Sequence, residues 1–222
     1  MGITKMSIGN SSYIGAYVFA TDSYVILTTH STRTEREIIA EALSTGVFSA
    51  TINGSGLLGV YVVGNSKGLL LPEMADQSEI HGIRKELGGV EVSVLRTDLN
   101  ALRNNILVND KIAFVNPEFK KKEINEIEHA LGVEVIARQI GGYATVGANN
   151  ILTNKGMVIT NSADESDAHF LNRIVHCTSQ TTANLGSPSI GLCTIANSNG
   201  VVVGAQTTGF ELTRVAEGLD LA

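Results

Sequence analysis

Five histidines (His30, His81, His129, His169 and His176) and two cysteines (Cys177 and Cys193) are the side chains of this chain best suited to nucleophilic or metal chemistry. Their spacing supports neither. A helix offers two ligands to one metal at i and i+4, and cysteine-built zinc sites pair their thiolates two to four residues apart. No two histidines here lie four apart, and the cysteines are far from each other. His176 and Cys177 are adjacent, so on a strand or helix their side chains point apart and form a poor nucleophile and base pair. Cys193 sits in the apolar run Leu192 to Ala196 and reads as a small buried hydrophobe. The residues therefore nominate no catalytic group, no metal site and no cofactor.

Two other patterns look like ligand sites. Gly54, Gly56 and Gly59 match the G-x-G-x-x-G dinucleotide fingerprint, which works only where a strand leads in and a helix leads out, so that the helix N-terminus meets the pyrophosphate. Val47 to Ile52 fits the strand, but Val60 to Val63 reads as a continuing strand, and the nucleotide reading is set aside. Lys120-Lys-Lys122 opens a helix, where positive charge opposes the dipole, and reads as solvated surface rather than a phosphate site.

The elements that carry these residues are short and glycine-punctuated, with 23 glycines against 3 prolines in 222 residues. A net charge of −6 excludes a protein that coats nucleic acid by charge neutralisation, DNA included. No apolar run approaches the roughly 18 residues of a membrane span, and no apolar segment follows Lys5 as a secretory leader would require. Two cysteines are too few for a disulfide framework, so a reducing, cytoplasmic compartment is expected and the sequons at Asn10 and Asn53 are chance matches.

The glycines repeat. Ile14-Gly15, Leu58-Gly59, Val146-Gly147 and Ile190-Gly191 share one register of 44 residues, with Leu102-Arg103 where a fifth pair falls. Ile39, Ile83, Ile127, Leu171 and Val215 keep the same period, as do Leu43, Leu87, Leu131, Val175 and Leu219. A fixed period means one supersecondary unit stacked on copies of itself. Each copy reads as strand, strand, helix, strand: an apolar run such as Val60 to Val63, a turn such as Asn65 to Gly68, a return strand, an amphipathic helix and a closing strand. The copies span about 12–55, 56–99, 100–143, 144–187 and 188–222, within one domain of 1–222. Copy five lacks its last strand, and the strand-like segment 3–8 has no copy of its own. Pairing of that segment into the last unit closes five copies into a propeller-like ring without sheet edges.

In such a ring the segments leading into each glycine fall on one face. They contribute Asn10 and Ser12, Asn53 and Ser55, Asn100, Tyr143 and Thr145, and Asn184 and Ser187. Small hydrogen-bonding loops on a rigid scaffold commonly carry binding.

Several segments resemble the translation initiation factor 6 family, in its archaeal form. They are Val63 to Pro72, Asp76-Gln-Ser-Glu79, Ile83-Arg84, Asn100 to Asn104, Val108-Asn-Asp110, Thr153 to Gly156, Ala196 to Gly200 and Thr207 to Glu211. The resemblance implies an α/β fold of the pentein type, a closed five-fold pseudosymmetric α/β propeller. It implies a monomer that binds the large ribosomal subunit at its intersubunit face, through ribosomal proteins near the sarcin-ricin loop with limited rRNA contact, and blocks joining of the small subunit. No cofactor and no membrane are involved. By the same resemblance Leu102, Arg103 and Asn104 fall in the ribosome-facing segment, although the family has glycine where this chain has Arg103. Penteins also include guanidine-modifying enzymes with a cysteine nucleophile near the C-terminus; residues 200–222 hold neither cysteine nor histidine. A non-ribosomal repeat scaffold is the remaining alternative.

Overall fold

The amphipathic segments form helices that lie across three-stranded sheets. The computed structural model describes residues 2–175 and 178–221. Strand β1 (Gly2–Met6) comes first. The first unit has a 3-10 turn (Ile14–Ala16), β2 (Val18–Ala20), β3 (Val25–Thr28), α1 (Arg33–Leu43) and β4 (Val47–Ala50). The second has α2 (Leu58–Tyr61), β5 (Val63–Gly64), β6 (Gly68–Pro72), α3 (Gln77–Leu87) and β7 (Glu91–Leu95). The third has α4 (Leu102–Asn105), β8 (Ile106–Val108), β9 (Ile112–Val115), α5 (Lys121–Leu131) and β10 (Glu134–Ala137). The fourth has α6 (Val146–Asn149), β11 (Ile151–Leu152), β12 (Met157–Thr160), α7 (Glu165–Asn172) and β13 (Thr178–Thr181). The fifth ends with α8 (Ile190–Cys193), β14 (Thr194–Asn197), β15 (Gly200–Gly204) and α9 (Gly209–Gly218).

In every blade the middle strand pairs antiparallel with a short inner strand and parallel with an outer one. The fifth blade takes its outer strand from the other end of the chain, since β1 pairs parallel with β15 from Gly2 opposite Gly200 to Met6 opposite Gly204. Each helix buries its apolar stripe on its sheet, and Ile39, Leu43, Ile127, Leu131, Leu171, Val215 and Leu219 are fully buried.

One expectation is corrected. The run after each glycine is not a strand from the outset: Val60 and Tyr61 close the one-turn helix α2, and the inner strand β5 has only two residues. A run of four apolar residues has no period that separates a helical turn from a strand. These one-turn helices form the hub. The 3-10 turn packs on α2, α2 on α4, α4 on α6, α6 on α8, and α8 returns to the 3-10 turn.

Close approach explains the glycines. A Cβ on Gly59 would lie 2.2 Å from the carbonyl oxygen of Gly15, one on Gly15 2.3 Å from that of Gly191, and one on Gly191 2.0 Å from that of Gly147. The residue before each member of this ring (Ile14, Leu58, Leu102, Val146, Ile190) has no exposed surface at all.

The opposite end of the axis is laced by the hairpin turns. Asn65 donates from Nδ2 to the Asn109 carbonyl (3.1 Å), Asn109 to that of Thr153 (2.8 Å) and Asn197 to that of Thr21 (3.1 Å). Asn154 Nδ2 donates to both Asp22 (2.8 Å) and Asp110 (2.6 Å). Buried amides satisfied in this way fix the register of one blade on the next.

Candidate functional site

The loops ahead of the hub lie beside the helix N-termini, and in four of the five blades a carboxylate holds the loop in place. Residues 35, 79, 123, 167 and 211 are Glu, Glu, Glu, Asp and Glu, one per blade at the 44-residue period. Each occupies the third position of its helix, where a carboxylate caps the N-terminal N–H groups. Four of them also reach across to the preceding loop. Glu35 accepts from Gly9 N–H (2.8 Å), Asp167 from Gly141 N–H (2.8 Å) and Glu211 from Gly186 N–H (2.9 Å). Glu79 accepts from Asn53 N–H (2.7 Å), Gly54 N–H (3.0 Å), Thr51 Oγ1 (2.7 Å) and Asp76 N–H (3.0 Å).

These bonds dispose of the dinucleotide fingerprint. A short helix does follow Gly54 and Gly56, contrary to expectation, and takes Gly59 as its second residue, but the N–H groups of Asn53 and Gly54 at the head of the motif are turned to Glu79. The anion this loop binds is the protein's own. For Glu35, Glu79 and Glu211, partial burial works against ionisation, yet the backbone and hydroxyl donors outweigh it and hold the carboxyls below their ordinary value of 4.5.

A folded-state value below the unfolded one means these groups contribute stability above about pH 4.5 that is lost as pH falls through the folded values. A variant carrying Glu35→Gln, Glu79→Gln and Glu211→Gln is expected to lose about 1 kcal/mol per site at neutral pH, the usual worth of a cap. Its thermal midpoint should then fall less steeply than wild type under acid. Parallel acid limbs in a series of melts from pH 7 to pH 3 would remove the carboxylates from this role.

The loop face differs in detail from its sequence reading. In four blades the loop closes with a two-residue bridge: Ile8 with Ser11, Ile52 with Ser55, Ile140 with Tyr143, and Ala183 with Ser187. Blade three has no such bridge among the described residues. Its loop is charged rather than neutral, with Arg96 exposed opposite Glu73 (3.4 Å) and Asp98 opposite Lys120 (3.6 Å). Lys120 thus sits in a surface ion pair, and Lys121 and Lys122 are exposed.

Asn10, Asn53, Asn100 and Thr145 are exposed, and Ser12, Ser55, Tyr143, Ser187 and Asn104 are half-buried. Three candidates are turned inward. Leu102 belongs to the buried hub ring with Ile14 and Leu58. Arg103 is buried and donates from its guanidinium to the Gly191 carbonyl at 2.8 Å. Asn184 is buried, donates to the Ser12 carbonyl (2.8 Å) and accepts from Thr207 Oγ1 (3.1 Å), tying loop five to loop one. None of the three presents its side chain at the surface.

Four of the exposed large apolar side chains lie in or beside these loops, and they were not among the expected contacts: Tyr13 (45% exposed), Leu57 (40%), Leu185 (70%) and Phe210 (76%). Leu185 lies beside the first turn of α9, which carries Phe210, since its N–H points at the carboxylate of Glu211 (3.4 Å), the residue after Phe210. Asn104 adds an unsatisfied polar group, since its Oδ1 is buried without a hydrogen-bond partner in the protein.

Chemical centres do not emerge among the described residues: no cluster of three or more His, Cys, Asp or Glu could hold a metal. Cys193 is buried, and burial pushes its thiol up to about 11, against hydrogen bonds from Ser187 and Asn184. His176 and Cys177 lie outside the described residues. No helix among those residues is long and apolar enough to cross a membrane.

Five three-stranded sheets in cyclic order around a glycine-packed hub define a pentein. The fold is shared with the N-terminal domain of ArgZ, an arginine dihydrolase from the ornithine-ammonia cycle in cyanobacteria, at TM-scores of 0.50 and 0.51 in two structures. There the sequence identity is 12% and 13%, over 77% of this chain and 68% of that one. The chain belongs to the eIF-6 family, whose model matches residues 3–218. It is 38% identical to Translation initiation factor 6 of Pyrococcus abyssi over the whole of both chains. It is 36% identical to that of Pyrococcus horikoshii over 99% of both, and 35% identical to that of Methanocaldococcus jannaschii over 94% of this chain and 93% of the other. These relatives are archaeal translation initiation factors.

Proposed function

We propose that this protein binds the large ribosomal subunit at its intersubunit face and sterically prevents the small subunit from joining. Membership of a translation initiation factor family supports this reading, and the loop face offers a surface that suits it. The observation that carries the reading is that this face holds its own backbone N–H groups on internal carboxylates while exposing Tyr13, Leu57, Leu185 and Phe210. Such a surface suits a protein partner more than RNA, because exposed aromatic and aliphatic side chains anchor protein interfaces and phosphate contacts need basic ones. On this reading the partners are ribosomal proteins near the sarcin-ricin loop, with limited rRNA contact. The factor acts as a monomer in the cytoplasm, and no bond is made or broken.

Asn10, Ser12, Asn53, Ser55, Asn100, Asn104, Tyr143, Thr145 and Ser187 frame this surface. Asn104 is half-buried beside it. The test is sedimentation of purified archaeal subunits with a stoichiometric excess of the protein. Co-migration with the large subunit and loss of joined ribosomes are expected, whereas unchanged joining would overturn the reading. Asn104→Arg is expected to weaken co-sedimentation about tenfold with an unaltered thermal midpoint; equal binding would remove Asn104 from the contact.

A further inference from the structure

Arg103 is a departure inside this chain's own repeat: arginine stands where the other four copies have glycine. Its side chain does not leave the hub. It crosses from blade three to blade five, where the guanidinium donates to the Gly191 carbonyl at 2.8 Å. It is 9% exposed, and among the described residues no carboxylate lies within ion-pair distance of it. Burial lowers its value to about 10, which still leaves it charged at neutral pH.

The guanidinium lines an axial cavity of about 40 Å³, room for about three water-sized spheres. Every other lining side chain is apolar or absent, Ala20, Val108, Leu152 and Ala196 among them. The inner strands pair on one side only, so alternate backbone N–H and C=O groups face this space. The two carboxylates further along the axis are committed elsewhere. Asp22 accepts from the N–H and hydroxyl of Ser198 (both 2.7 Å), and Asp110 from those of Ser66 (2.8 and 2.7 Å). A buried guanidinium has five donors, and one carbonyl satisfies one of them. A charge taken out of water without a counter-charge is costly, and the cavity has both the donors and the volume to hold one.

We propose that Arg103 makes the axial cavity a binding site for a small monovalent anion of the halide class, held on the pseudo-fivefold axis by the guanidinium and inward backbone N–H groups. A single buried cation with no second one beside it favours a monovalent anion over doubly charged phosphate. The inference is independent of what the loop face binds.

Bromide is the probe. Wild-type crystals soaked in sodium bromide should show an anomalous peak within hydrogen-bond distance of the Arg103 guanidinium, and crystals of Arg103→Gly should lack it. In solution, adding sodium chloride to protein dialysed into sodium gluconate of equal ionic strength should raise the wild-type thermal midpoint saturably. Arg103→Gly and Arg103→Met should lose that rise. A wild-type cavity that holds only water, without anomalous signal at saturating bromide, overturns the proposal, as does an equal chloride response in both variants. If neither variant folds, the wild-type crystal decides alone.

Discussion

Gly147→Ala is expected to abolish cooperative folding. A methyl group at this position would sit 1.8 Å from the Arg103 carbonyl oxygen and 2.5 Å from that of Ile106. Both obstacles are backbone atoms of a packed hub, so relief requires moving α4 and α6 apart and with them two blades. Ordinary overpacking costs about 1–3 kcal/mol where side chains can shift. Here the loss should exceed about 4 kcal/mol, a large share of the whole stability of a typical domain. Gly82→Ala is the matched control, lying on the exposed surface of α3 with nothing within 4 Å of its added Cβ. It should gain up to about 1 kcal/mol from helix propensity. Urea denaturation followed by circular dichroism reads both; a Gly147→Ala protein within about 1 kcal/mol of wild type would show that the hub is not close-packed.

The double substitution Leu185→Asp with Phe210→Asp should abolish large-subunit binding and leave the fold intact. Both side chains are mostly exposed, so replacing them removes little buried area from the free protein. At an interface, an anchoring aromatic or aliphatic side chain commonly contributes 2 kcal/mol or more. Two aspartates in the same patch add desolvation of charge, and a loss of at least a hundredfold in affinity is expected. Thr29→Asp, at another exposed position, serves as the control for added charge. Sedimentation with large subunits measures the loss, and binding within threefold of wild type would move the contact off this patch.

Much of this was legible in the chain because a 44-residue register repeats physical demands as well as residues. The register located five helices and the glycine hub. It also placed Leu102 in one column with Ile14, Leu58, Val146 and Ile190, a column of apolar residues that argues for the interior, although the resemblance put Leu102 in the ribosome-facing segment. The acidic column at 35, 79, 123, 167 and 211 was equally visible, but carboxylates at helix starts are common enough to pass as capping alone. Phe210 stands at a position held in the other copies by Thr34, Ser78, Lys122 and Ser166, and that mismatch was its signal.

Other features were not legible. The hub helices are a single turn, too short for a period. The link of Asn154 to both Asp22 and Asp110 exists only once the ring is closed. The even spacing itself conceals a compensation. Helix α7 has eight residues where α1, α3 and α5 have eleven, and the bridge of loop five, Ala183 with Ser187, spans one residue more than its counterparts.

The pairing of β1 with β15 also has a consequence in time. Strand β1 holds residues 2 to 6 and its partner begins at Gly200, so almost the whole chain must be synthesised before the two can meet. At about 5–20 residues per second that interval is roughly 10–40 s, far longer than hairpins and helices need to form. Blades one to four can assemble while β1 waits. Its sequence, Gly2-Ile-Thr-Lys-Met6, is short and carries Lys5 on its exposed side, which suits a strand that must stay unpaired without recruiting another chain. Closure of the ring is then the last event in the protein's own making, and the loop face is complete only after that strand has docked.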